Sequence, residues 1–115
     1  MADFEIEIKA DNTDAIIKAT DEAIYNALEI IGNKAADYAA ALAPVDTGNL
    51  KNSMTSEVSK EEKAVYVGTD VEYAPYQEFG TYKMPAANGG TGFLKPAIMN
   101  HMDEYKNILE TELKV

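Results

Sequence analysis

Asp70, Glu72 and Glu78 are the first residues whose types could do chemistry. Paired carboxylates act as general acid and base when they converge and one of them is desolvated. Their spacing does not bring these acids together, and with 20 acids in 115 residues some clustering is expected. The run Asn88-Gly89-Gly90-Thr91-Gly92 invites a phosphate-loop reading, but Phe93 follows where the Walker pattern needs a lysine and a hydroxyl residue. Asp11 and Asp14 lack the alternating ligand loop and closing glutamate of a calcium site, and read as helix caps. His101 is the single histidine, a base with no nucleophile beside it. Ser53, Ser56 and Ser59 fall in a strand pattern without a nucleophile elbow. The residue sets that active sites need are missing, so the chain reads as a non-enzyme with no cofactor and no metal site.

Composition excludes further classes. The chain has no cysteine, which removes disulfides and thiolate zinc sites. The net charge is −10, and all ten basic residues are lysines. A nucleic-acid binder shows a basic footprint, and arginine is the residue suited to bidentate phosphate contacts. An acidic surface repels phosphates instead. No apolar run approaches the roughly 18 residues that span a bilayer. The start, MADFEIEIKAD, is acidic and alternating, unlike a signal peptide. A cytosolic, soluble single domain over residues 1–115 is expected.

The elements that must position these residues follow from periodicity. Phe4, Ile6 and Ile8 alternate with charged residues as in a half-buried strand. From about Thr13 to Ala43, Ile17, Ile24, Leu28, Ile31, Ala35, Tyr38 and Leu42 share one helix face, and Pro44 ends the run. About 30 residues at 1.5 Å each predict a helix roughly 45 Å long, with Gly32 as a bend or a tolerated interior glycine. Leu50 to Ser59 alternates loosely, Lys60-Glu61-Glu62 reverses the chain, and Lys63 to Thr69 reads as the partner strand of a hairpin. Pro75 opens a short helix that Gly80 closes. Tyr82 to Gly92 has no periodicity and reads as a mobile loop. After it Pro96 opens a second helix, with Ile98, Met102, Tyr105, Leu109 and Leu113 as its apolar stripe. The expected fold is α+β: a small antiparallel sheet packed with one long N-terminal helix, a short helix and a C-terminal helix.

Val67 to Thr81 (VGTDVEYAPYQEFGT) is the stretch least explained by these rules. Tyr73, Tyr76 and Phe79 fit core or sheet-capping positions, a subunit contact, since aromatics anchor interfaces, or both, with Phe79 inside and one tyrosine outward. This block, together with Ala43-Pro44-Val45-Asp46-Thr47-Gly48-Asn49-Leu50 before it and Phe93-Leu94-Lys95-Pro96-Ala97 after it, strongly resembles the HK97 gp10-like family of tailed-phage proteins. The matching blocks are ordered and spaced as in that family over residues from about 35 to 100. Ala87 to Gly92 lengthens the last join, and Lys95 stands where arginine is usual.

The resemblance implies an α+β fold and a structural protein of a phage or prophage, joining head to tail in the neck of the virion after synthesis in the bacterial host cytoplasm. It implies a hexameric ring around the DNA channel, with head-connector and tail proteins as partners and DNA passing without specific binding. The motif residues Pro44, Asp46, Thr47, Gly48, Tyr73, Pro75, Tyr76, Glu78, Phe79 and Gly80 are then the candidates for the subunit contact. A tail terminator is the alternative within that class. A cytosolic interaction module is an alternative outside it, and an acid-dyad hydrolase is a distant one.

Overall fold

The computed structural model describes residues 4–9, 20–43, 49–83 and 85–113. The chain runs as β1 (Phe4–Lys9), α1 (Asp21–Leu42), α2 (Asn49–Asn52), β2 (Thr55–Ser59), β3 (Ala64–Thr69), α3 (Ala74–Phe79), a turn at Ala87–Gly90, α4 (Leu94–Met99) and α5 (Met102–Leu113). The strands form one antiparallel sheet in the order β1-β3-β2. This is the α+β architecture that the alternation and the helical stripes predict.

Strand β3 is central, and its composition reflects that. Ala64, Val65, Val67 and Thr69 are fully buried. Register places positions 4, 6 and 8 of β1 opposite Thr69, Val67 and Val65, so the alternation in β1 matches that of β3. The β2–β3 hairpin turns without glycine, and Lys63 takes the left-handed conformation at φ 53°.

Helix α1 lies on β2 and β3 along one side and on α4 and α5 along another. Ile24, Ala27, Leu28, Ile31, Ala35 and Ala39 form its buried stripe. It is shorter than the periodicity suggests. Thr20 is extended and its Oγ1 accepts the Ala23 N–H at 3.1 Å, with Asp21 and Glu22 in the first turn. The 22-residue helix therefore spans about 33 Å and fits within the 49 Å long axis of the molecule. The expected first part of that helix, 13–19, lies outside the described residues. Its end is as expected: Ala43 is extended, and Pro44 follows in sequence.

Other boundaries shift for physical reasons. Leu50 is buried in the one-turn α2 and does not belong to β2, because the Ser53 hydroxyl bonds back to the Leu50 carbonyl at 2.7 Å and closes that turn. The C-terminal helix is two segments, broken between α4 and α5 at Asn100-His101. That break turns Met102 to solvent, 48% exposed, while Ile98, Tyr105, Leu109 and Leu113 stay buried. Phe93 and Leu94 dock in the core at the start of α4.

Gly32 is neither a bend nor an idle tolerance. A Cβ there would meet Val65 Cγ2 at 2.6 Å and Ser56 Cβ at 3.0 Å, so the glycine lets α1 sit directly on the sheet. Gly→Ala in an ordinary helix interior stabilises by roughly 0.5–1 kcal/mol. Gly32→Ala is expected to reverse that sign and destabilise by about 1–3 kcal/mol through overpacking, read as a lower urea midpoint with an unchanged slope.

Candidate functional site

Helix α3 carries the motif residues Pro75, Tyr76, Glu78 and Phe79, and its orientation inverts the usual rule. Ala74 and Glu78, four apart, are buried on one face. Tyr76 and Phe79, three apart, face outward at 62% and 74% exposure. Phe79 is therefore not a core residue. Tyr73 is half-buried against the core as the N-cap residue, and Gly80 closes the helix at φ 76°. Pro44, Asp46, Thr47 and Gly48 lie outside the described residues.

The Glu78 carboxylate explains the inversion. Its Oε1 accepts the N–H groups of Phe93 and Leu94 at 3.0 and 2.6 Å, and its Oε2 accepts that of Lys95 at 3.0 Å. These are the N-cap and first two positions of α4, and the third position is Pro96, which has no N–H. A helix start leaves its first amides without intrahelical partners. Here one carboxylate takes every such donor and the proline removes the last. Charge-assisted bonds at the positive end of a helix offset the cost of burying the acid.

Gly92 is fixed by the same contact. Its φ is +84°, and a Cβ on it would lie 2.4 Å from Glu78 Oε2. The neighbouring Asn88 is left-handed at φ 58°, and its Nδ2 donates to Leu42 O at 2.9 Å and Gly92 O at 2.8 Å. The segment expected as a mobile loop is thus tied at 88–92 to the end of α1 and to α4. Its glycines and asparagine supply backbone conformations that bracing requires.

Of the other residues considered for chemistry, the acids do not converge and the serines are spent on structure. Asp70 and Glu72 are exposed, and Asp70 and Glu78 line different surface recesses. Ser53 donates to Leu50 O, so the Thr69 hydroxyl beside it donates to Ser53 Oγ and accepts the Val71 N–H at 3.1 Å. Ser56 bonds Asn33, and Ser59 accepts the Glu62 N–H. Among the described residues no His, Asp and Glu side chains group as metal ligands, and no helix is long and apolar enough to cross a membrane.

His101 sits in a cluster that sequence reasoning did not assemble. Its ring stacks on Tyr38 at 3.6 Å and 4°, at the break between α4 and α5. Tyr38 donates its hydroxyl to Glu104 Oε1 at 2.6 Å, and Lys34 pairs with Glu104 Oε2 at 3.3 Å. Tyr105 donates to Ala97 O at 2.6 Å. The Tyr38 hydrogen bond, with Lys34 adding to it, holds the Glu104 carboxyl below its ordinary 4.5. The same bond raises the Tyr38 phenol above 10.0. Lys34, Tyr38 and Glu104 pin α5 to α1, while Tyr105 ties α5 back to α4.

Two outcomes are expected. Glu78→Gln offers one acceptor oxygen where two are used, and should cost about 2–3 kcal/mol. Amide exchange should accelerate first at Phe93, Leu94 and Lys95. The Tyr38–Glu104 bond needs a protonated phenol and an ionised carboxylate. The depressed carboxyl contributes stability above pH 4.5, lost as pH falls through its lower folded value. The raised phenol contributes below pH 10.0, lost as pH rises through its higher folded value. Tyr38→Phe should flatten both edges of the melting temperature against pH.

Comparison with known proteins agrees with the first two motif blocks, Ala43–Leu50 and Val67–Thr81 up to Gly80, and stops short of Phe93–Ala97. Residues 10–80, more than half of the chain, match the family model described as "Bacteriophage HK97-gp10, putative tail-component". No curated protein and no solved structure gives a match. Between them, the Val67–Thr81 block, the α+β fold and this match establish that the chain belongs to the HK97 gp10-like family of phage tail components.

Proposed function

We propose that this protein is a structural component of a phage or prophage neck, joining head to tail as a ring of identical subunits around the DNA channel. The observation that carries the assembly reading is the outward face of α3. Tyr76 and Phe79 are large and exposed, and stand on a helix braced by Glu78. Aromatics on a rigid support are the usual anchors of protein interfaces, because little side-chain entropy is lost on burial. A hexamer is the ring size that the family resemblance implies, with head-connector and tail proteins as flanking partners.

The charge supports the conduit. With 20 acids, ten lysines and no arginine, the chain lacks the contacts that would hold a passing duplex and make its transit salt-dependent. The words "tail-component" in the family description favour a second reading, a tail-completion ring on the tail side of the same joint. Capture of connector protein or of tail-tube protein by the assembled ring separates the two.

Sedimentation over a wide concentration range, alone and with connector and tail proteins, tests the reading. A closed oligomer is expected, and a strict monomer under all these conditions would sink it. Tight, salt-sensitive binding to duplex DNA would defeat the conduit. Tyr76→Ala should abolish the oligomer while shifting stability by no more than about 0.5 kcal/mol, as for a surface position. A collapse in melting temperature with assembly intact would make Tyr76 a core residue instead.

A further inference from the structure

A ring of identical subunits needs two different surfaces that fit each other, and the structure offers a pair. One is the aromatic knob of α3, Tyr76 and Phe79. The second is a groove of about 570 Å³ between α1 and α5, with Ile30 and Ile108 among its lining and Glu104 and Glu112 at its edge. Resting on the ring reading above, we infer that the knob of one copy seats in the α1–α5 groove of the next.

Position makes the contact head-to-tail. The Asn88 bond to Leu42 O and the Glu78 bonds to 93–95 put α3 near the C-terminal end of α1. Helices α1 and α5 run antiparallel, with Tyr38 and Lys34 both reaching Glu104. Ile30 and Ile108 lie farther along the pair. The 12 positions from Ile30 to Leu42 span about 18 Å of helix, so one copy carries knob and groove at separated places. Two copies joined this way leave a knob and a groove unused, and the contact repeats until the ring closes.

Charge selects this pairing over knob against knob. A chain with 20 acids and ten lysines repels its own copy unless lysines of one meet acids of the other. Lys95 is exposed and lines the same recess as Phe79, so the knob is flanked by a cation. The groove is flanked by Glu104 and Glu112. Glu104 is engaged by Lys34 and Tyr38, which leaves Glu112 as the carboxylate assigned to Lys95.

Complementation tests the pairing. Phe79→Ser removes the knob and Ile30→Lys blocks the groove, each at an exposed position, with folding checked by circular dichroism. Each variant alone is expected to stay monomeric. Mixed one to one, they should form dimers and nothing larger, since the intact knob of one meets the intact groove of the other. Separately, Lys95→Glu and Glu112→Lys should each weaken assembly several-fold, and the double variant should recover it.

A carbodiimide cross-link between Lys95 and Glu112 is expected only in the oligomer band. Variants that assemble like the wild type overturn the pairing and leave the ring reading standing. Two monomeric variants that fail to dimerise when mixed show that the knob of one does not seat in the groove of the other, which also overturns it. An Ile30→Lys variant that still self-associates points to like-on-like contact and overturns it too. A wild-type protein that stays monomeric with its partners present removes the ring and the pairing together.

Discussion

The geometry of this molecule depends on one buried carboxylate. Glu78 is 5% exposed, and an ionised acid at that depth is costly unless its oxygens are satisfied. Three backbone amides satisfy them, all from the start of one helix. The bond set works in both directions: it solvates the acid, and it supplies the acceptors that α4 would otherwise lack. Because Pro96 has no amide hydrogen, the account of donors and acceptors at that helix start closes with no water required. Breaking either partner would leave buried polar groups unpaired, so the two segments behave as one unit.

The same bond decides what faces outward. A six-residue helix has two sides, and once position 78 is drawn inward, positions 76 and 79 must point away from the core. Hydrophobicity alone would place a phenylalanine inside and a glutamate outside. The structure does the opposite, because the glutamate has backbone partners and the core is already filled by Phe93, Leu94, Leu28 and Leu50. An acid buried for bracing is thus the physical reason that aromatics stand on the surface.

Much of the fold was legible because it rests on local rules. The alternation of Phe4, Ile6 and Ile8, the stripe from Ile24 to Ala39 and the stop at Pro44 each predict an element that forms. What escaped involves contacts between distant residues. Thr20 as a cap carries a local signature, a threonine followed by Asp21 and Glu22, yet the periodicity running on from Ile17 masked it. Gly32 gave no hint that Val65 and Ser56 would approach it, and Asn88 gave none that it would reach Leu42. For the candidate site, the motif identified Glu78 as a residue of interest, but its role depends on amides 15 to 17 positions away. Spacing cannot report a carboxylate whose partners are backbone.

These constraints bear on how an acidic chain without arginine would assemble into the proposed ring. Lysine is a compact, strongly hydrated charge that gives little geometric specificity, so shape must come from elsewhere. The braced α3 supplies shape at one place, and at another the Tyr38–Glu104 bond pins α5 to α1 beside the groove. Lysine then needs only to set the sign of the potential beside each surface, which steers encounter more than it adds affinity. Such a division suits a subunit next to DNA. In the proposed ring, specificity would reside in aromatic packing between copies, while the surface as a whole keeps the negative charge that a duplex would have to slide past.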